Sequence, residues 1–264
     1  MLPSHPDRVI AATRFRARWL AETSSTNTVV AEAARAGEPE GLVVFADHQR
    51  AGRGRLGRTW VAPPGSALLS SVLLRPPPGL VHLAVTALGC AAAAACARLT
   101  GREPGLKWPN DLIVGARKLG GILAEATTEA GNVTGVVVGM GLNTARPPDV
   151  PAELRDIATY LDDHVERIPS RHGLLDAILE ELEPRYAHLV ADGPGELLAE
   201  YRRRCVTIGQ HVVVQQGQGE LRGVAVDVAD NAALVVRTEQ GAHERVQVGD
   251  VVHLRPGEAR RQLR

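Results

Sequence analysis

Gly52-Arg53-Gly54-Arg55-Leu56-Gly57-Arg58-Thr59-Trp60-Val61-Ala62-Pro63-Pro64-Gly65 is the stretch on which the fold class turns. Gly52, Gly54 and Gly57 fit the dinucleotide spacing G-x-G-x-x-G, and Gly52 to Thr59 fits the P-loop interval with Arg58 in the lysine position. Both motifs work only when the glycines open a helix whose N-terminal amides hold phosphate. Here the chain passes into Val-Ala-Pro-Pro-Gly and then a strand, so there is no helix to aim, which argues against a doubly wound nucleotide fold. What remains is a glycine-hinged loop with three guanidiniums and a tryptophan beside it. Such a loop can close over an anion, its arginine forks taking carboxylate or phosphate oxygens. A solvated basic loop and a nucleic-acid contact through Arg53, Arg55 and Arg58 are the other readings it leaves open.

Outward from the loop, period-two alternation marks a half-buried strand over residues 14–20, with Phe15, Ala17 and Trp19 on one face. Glu22-Thr-Ser-Ser-Thr-Asn27 leads into a helix that Ser25 or Thr26 can cap and that stops at Gly37. Residues 42–46 and 66–74 read as strands on either side of the loop, and residues 82–100 as an Ala-rich buried helix. Three short apolar runs, 111–114, 118–126 and 133–138, look like a meander divided by glycine turns. Residues 144–169 are Pro-rich and irregular, and 171–190 and 196–205 are amphipathic helices. From Val206 the texture changes to Val-rich alternating strands at 211–215, 221–228, 233–237, 244–248 and 251–254, the pattern of a small β-barrel. The expected architecture is α+β, with a mixed-sheet domain over 1–205 and a small barrel over 206–264.

Composition narrows the function. Thirty basic and thirty acidic residues cancel, so no general field draws the chain to nucleic acid or an anionic membrane, and phosphate binding must be local. Three cysteines without metal-like spacing, and no secretory signal, fit a reducing cytoplasm. The run from Leu83 to Leu99 is broken by Gly89 and shorter than a bilayer span needs. Most telling, only two of the thirty basic residues are lysines, Lys107 and Lys118. A lysine retained in an arginine-dominated chain points to a position where a compact ammonium does what a broad planar guanidinium cannot.

Those lysines mark two segments. Lys107-Trp108-Pro109-Asn110-Asp111 gathers a cation, an aromatic ring, a rigid turn and two polar acceptors. Lys118 lies beside Gly120-Gly121, where little bulk keeps a ligand from the backbone. A third segment, Gly139-Met140-Gly141-Leu142-Asn143, ends an apolar strand. Of five asparagines, Asn27, Asn110 and Asn143 fall in these short stretches, as do Trp60 and Trp108. One shared site is the simplest explanation of that concentration.

Taken together and in this order, Ser25-Thr26-Asn27, Gln49 with the arginine loop, Lys107 to Asp111, Lys118 to Leu123 and Gly139 to Asn143 resemble the biotin protein ligases. The resemblance covers roughly residues 14–255 and implies a class II synthetase-like catalytic domain followed by an SH3-like barrel. It implies that biotin is activated by MgATP as biotinyl-5′-AMP and then passed to a lysine of a biotin carboxyl carrier protein. Ser25, Thr26, Asn27 and Gln49 would contact the biotin rings, and Arg53, Gly54 and Arg55 would close over the intermediate. Arg58, Trp60, Lys107, Asn110, Asp111, Gly139, Gly141 and Asn143 would serve the nucleotide. Lys118 would stabilise charge at the biotin carboxyl and α-phosphate. Magnesium would come with the ATP phosphates, without a protein metal site of its own.

Only about a dozen residues precede the first expected strand, which speaks against the N-terminal DNA-binding domain of the family's repressor members. Two other readings stand beside this one. The first is a ligase for another acid, such as lipoate or octanoate, on a related fold. The second is a non-enzymatic module that binds nucleic acid or protein.

Overall fold

The computed structural model describes residues 7–129, 131–216, 219–247 and 249–253. Strands β1 (Arg8–Val9) and β2 (Arg16–Thr23) lead to helix α1 (Thr26–Arg35), then β3 (Leu42–Gln49), β4 (Ala67–Leu74) and α2 (Ala84–Thr100). A short β5 (Gly105–Lys107) precedes the meander of β6 (Asp111–Val114), β7 (Arg117–Glu129) and β8 (Asn132–Asn143). After α3 (Arg171–Asp192) and α4 (Gly195–Arg204) come β9 (His211–Gln216), β10 (Gly219–Val228), β11 (Leu234–Thr238), β12 (His243–Val246) and β13 (Asp250–His253).

The first eight strands form one mixed sheet in the order β1-β2-β3-β4-β8-β7-β6-β5. Its one parallel pair is β2 with β3, a pairing that needs a crossover, which α1 supplies. Both faces are covered. Val29 and Val30 of α1 pack on Leu42, Val44, Leu73 and Val137, while α2 and α3 pack on Val43, Phe45, Leu68, Val72 and Val138. Every residue of β4 is consequently buried, and its sequence reads as an unbroken apolar run relieved only by Ser70 and Ser71.

Counted with its six-residue 3₁₀ entry, Pro78–Leu83, the helical run Pro78–Thr100 spans 23 residues, long and apolar enough by composition to cross a membrane. It is longer than the sequence suggested. Its alanines pack between the sheet and α3, with Ala91, Ala92, Ala93 and Ala95 at 0% exposure, as in the core helix of a globular domain.

Three local expectations are corrected. Phe15 and Ala17 are buried as the alternation requires, but Trp19 is 43% exposed and the next residue, Leu20, is buried instead. Among the described residues β1 pairs with Arg16 and Ala17 but not with Trp19, and Leu20 turns to the α1 side. Neither Ser25 nor Thr26 caps α1 with its side chain; Gln49, from the end of β3, accepts the Thr26 amide at 2.7 Å.

The third correction concerns the barrel. The last five strands form an antiparallel sheet in the order β12-β11-β10-β9-β13, and among the described residues no pairing joins β12 to β13 to close it. A register shift at Ala225/Asp227 bends β10, and Val212, Val214, Val236, Val246 and Val251 share its core. Two expected strand ends, Val248 and Leu254, lie outside the described residues. This small sheet is tied directly to the β5–β6 turn. Trp108 Nε1 donates to Ala232 O at 2.8 Å, the Trp108 amide donates to Thr207 Oγ1 at 3.0 Å, and Val206 N donates to Leu106 O at 3.0 Å.

Candidate active site

The start of α1, the end of β3, the arginine loop, the β5–β6 turn and the middle of β7 and β8 converge on one cavity of about 350 Å³. Ser25, Thr26, Asn27, Gln49, Arg53, Gly54, Arg55, Arg58, Trp60, Lys107, Asn110, Asp111, Lys118, Gly139 and Gly141 all line it. Asn143 does not. It is 8% exposed, and its Nδ2 donates to Thr159 O at 3.0 Å.

The arginine loop is a hairpin: Arg53 pairs with Thr59, Gly54 N donates to Arg58 O at 2.7 Å and Trp60 N to Gly52 O at 3.0 Å. Its tip is a single tight turn, Arg55–Gly57, in which Leu56 takes a left-handed φ of 56°. No helix follows, so neither nucleotide-loop mechanism operates here. A second, more open cavity of about 890 Å³ lies behind the loop, and residues 53–55 and 58–59 line both. Trp108, Pro109, Asn110, Ile122 and Leu123 also line both. Arg53 is held by Glu125 Oε2 at 2.8 Å, and Arg55 reaches Asn110 Oδ1 at 3.3 Å and Gly249 O, on the small sheet, at 3.4 Å.

Glycines shape the floor. Gly121 and Gly141 are partners across β7 and β8, and the Trp60 indole lies against both, so a methyl group on Gly141 would overlap the ring. Trp60 Nε1 is buried with no hydrogen-bond partner, a donor left for an acceptor in the cavity. Gly139 makes room for the Asn27 carboxamide in the same way.

Lys118 Nζ sits 2.6 Å from Asp111 Oδ1 and 5.7 Å from the centre of the Trp60 ring. Its backbone is held from the irregular segment: Lys118 N donates to Ile157 O at 2.7 Å, and Thr159 N donates to Lys118 O at 2.9 Å. Asp163 braces that segment. Burial alone would raise its carboxyl, but hydrogen bonds from Arg146, the Tyr160 amide and the Thr159 hydroxyl outweigh it and hold the pKa down at about 2.

Two residues that the sequence did not single out, neither of them lining this cavity, support its polar floor. The Ser71 hydroxyl lies 2.6 Å from Asn27 Oδ1 and 2.7 Å from Thr26 Oγ1, and Asn27 Nδ2 donates to Glu125 Oε2 at 2.7 Å. Ser71 had a visible signal, a hydroxyl pair inside an otherwise apolar strand. Glu125 offered only a charge in a strand. Among the described residues lining the first cavity, Asp111 is the lone carboxylate, and no histidine or cysteine faces it. The site therefore suits clamping and charge stabilisation of anionic groups rather than nucleophilic or acid–base work by the protein.

A mixed sheet carrying this site, followed by a small antiparallel sheet, defines the biotin/lipoate A/B protein ligase class. The family model of that description matches residues 19–143, and the model of the biotin protein ligase C terminal domain matches residues 207–254. The chain is 37% identical to a biotin–[acetyl-CoA-carboxylase] ligase of Mycobacterium tuberculosis, over 89% of this chain and 88% of that one. A Paracoccus denitrificans protein of the same description is 31% identical over 84% of this chain and 94% of its own length. Among solved structures, the biotin protein ligase from Aquifex aeolicus in complex with biotin and ATP superposes with a TM-score of 0.79 at 26% identity, covering 90% and 98% of the two chains. The chain belongs to the biotin protein ligase family.

Proposed function

We infer that this protein activates biotin with ATP and transfers it to a lysine of a biotin carboxyl carrier protein. A biotin carboxylate oxygen attacks the α-phosphorus, the bond to the β-phosphate breaks, and pyrophosphate leaves. The neutral amine of the acceptor lysine then attacks the acyl carbon of biotinyl-5′-AMP, and AMP leaves as an amide forms. The observation that carries this reading is the meeting of Lys118, the Arg53–Arg55 hairpin and the Ser25–Thr26–Gln49 floor around one cavity.

In this reading Ser25, Thr26 and Gln49 meet the biotin rings while Asn27 braces them, and Arg53, Gly54 and Arg55 cover the intermediate. Trp60, Arg58, Lys107, Asn110, Asp111, Gly139 and Gly141 serve the nucleotide. Asn143 serves it indirectly, through the Thr159 carbonyl that it holds. Lys118 supplies a point charge where negative charge builds in both steps. Closing the hairpin keeps water from a reactive mixed anhydride. Asp111 alone among the lining residues offers a carboxylate, which suits magnesium that arrives on the ATP phosphates.

The finer domain reading, a class II synthetase-like unit over 1–205 and an SH3-like barrel over 206–264, draws on the C-terminal family match and on the valine core of the bent small sheet. Cys90, Cys96 and Cys205, buried and free, suit a cytoplasmic setting. The test is transfer. With biotin, ATP and a carboxyl carrier domain, one biotin should appear on the carrier lysine and none when that lysine is arginine; absence of label on the intact carrier would overturn the reading.

A further inference from the structure

We propose that Glu125 is a positioning residue that fixes the donor–acceptor polarity of the acid-binding floor, an inference that rests on the cavity being the biotin site. Leu123 of β7 pairs with Gly139 of β8, and the Asn27 carboxamide rests on that pair. Asn27 is 4% exposed, so both ends of its amide must find partners inside the protein.

An ionised carboxylate only accepts hydrogen bonds. Glu125 Oε2, at 2.7 Å, is the nearer of two acceptors that hold Nδ2 of Asn27, the Leu123 carbonyl at 3.4 Å being the other, and with Nδ2 so placed Oδ1 turns toward Ser71 at 2.6 Å. Oδ1 has no hydrogen to give, so the single Ser71 hydrogen goes to it. Ser71 Oγ then has only lone pairs to offer Thr26 Oγ1, 2.7 Å away. With its hydrogen committed to Ser71 or to Gln49 Oε1 at 3.0 Å, Thr26 Oγ1 turns a lone pair to the cavity. The chain thus selects a ligand that brings an N–H to Thr26, as the cyclic urea of biotin does and a dithiolane or plain alkyl chain does not.

Arg53 occupies the same Glu125 oxygen at 2.8 Å. With side chains 47% and 36% exposed, that ion pair contributes little stability by itself. It holds the Glu125 carboxylate in place beside Asn27.

The test is calorimetric titration of biotin without ATP, followed by pyrophosphate exchange, for Glu125→Gln and Ser71→Ala. Gln keeps the shape of Glu but can present either a donor or an acceptor. Glu125→Gln should weaken biotin binding and raise its KM by about tenfold, the scale of one charge-assisted hydrogen bond. KM for ATP, kcat and the melting temperature should stay near wild type. Because the residues act in series, Glu125→Gln/Ser71→Ala should bind biotin no more weakly than the weaker single variant. Unchanged biotin affinity in Glu125→Gln would overturn the proposal, as would equal losses toward biotin and ATP with a lowered melting temperature. Wild type that binds biotin but makes no adenylate would refute the function and leave the proposal to be decided by the titrations. Wild type that does not bind biotin would refute both.

Discussion

Lys118 is tethered to Asp111, with Nζ 2.6 Å from Oδ1 across the β6–β7 hairpin and the Trp60 ring 5.7 Å from the ammonium. The charge is held at the edge of the cavity, ready to move to a phosphate or carboxylate that competes with Asp111. A guanidinium in its place would spread the charge over a broad plane instead of presenting it at one point. Lys118→Arg is expected to slow adenylate formation by about 10²-fold, the usual effect of losing one preorganised electrostatic contact. Single-turnover formation of biotinyl-AMP measures this. A near-normal rate would show that any cation suffices.

Arg55 links the hairpin tip to both sides of the cleft, through Asn110 Oδ1 and Gly249 O. Removing those bonds, each contributing about 1 kcal/mol, should loosen the cover without touching the floor. Arg55→Gly should therefore release biotinyl-AMP about tenfold faster or more, seen as labelling of bystander lysines. Unchanged retention of the intermediate would mean that the hairpin is not its cover.

The Gly141 backbone carries the Trp60 indole, and a methyl group there would overlap it. Overpacking of this kind costs about 1–3 kcal/mol. Gly141→Ala should lower the melting temperature and raise KM for ATP, while the same change at Gly195, where no heavy atom lies near an added Cβ and the backbone is not left-handed, should leave KM alone. Equal KM values in the two variants would remove Trp60 from the site.

Much of the fold and of the site is legible in the sequence. The meander shows because its glycine turns punctuate β-branched runs, and the site because its scarce lysines, tryptophans and asparagines cluster in a few short segments. What the sequence hides depends on which distant groups meet. Gln49 replaces Ser25 and Thr26 as the helix cap because β3 ends beside α1. Glu125 matters only because Asn27 and Arg53 arrive at the same carboxylate oxygen. Trp19 is exposed although Phe15 and Ala17 of the same alternation are buried, and alternation alone cannot reveal where the cover over a sheet face ends. Closure of the small sheet likewise depends on pairing between strands far apart in sequence.

Asp163, with its pKa at about 2, lies below the carboxylate value of about 3.9 in an unfolded chain. Its contribution is therefore fully present above about pH 4 and is lost as pH falls toward 2. Asp163→Asn should lower the melting temperature at pH 7 by about 2–4 °C, with the gap to wild type closing through that acid window. A gap that persists unchanged at pH 2 would contradict the assignment.

Burial pushes the thiols of Cys90 and Cys96 up to about 12, so neither is a thiolate at working pH. The folded enzyme should resist iodoacetamide at pH 8 at both positions and keep its activity, whereas denaturant should expose them. Rapid alkylation of the native protein at Cys90 or Cys96 would show that α2 is not packed as described.

That the Lys118 cavity joins biotin to AMP is tested most directly by pyrophosphate exchange into ATP with biotin, lipoate or neither. Exchange that requires biotin, with biotinyl-5′-AMP recovered from the enzyme, is the expected result; exchange supported by lipoate but not biotin, or none with either acid, would contradict it.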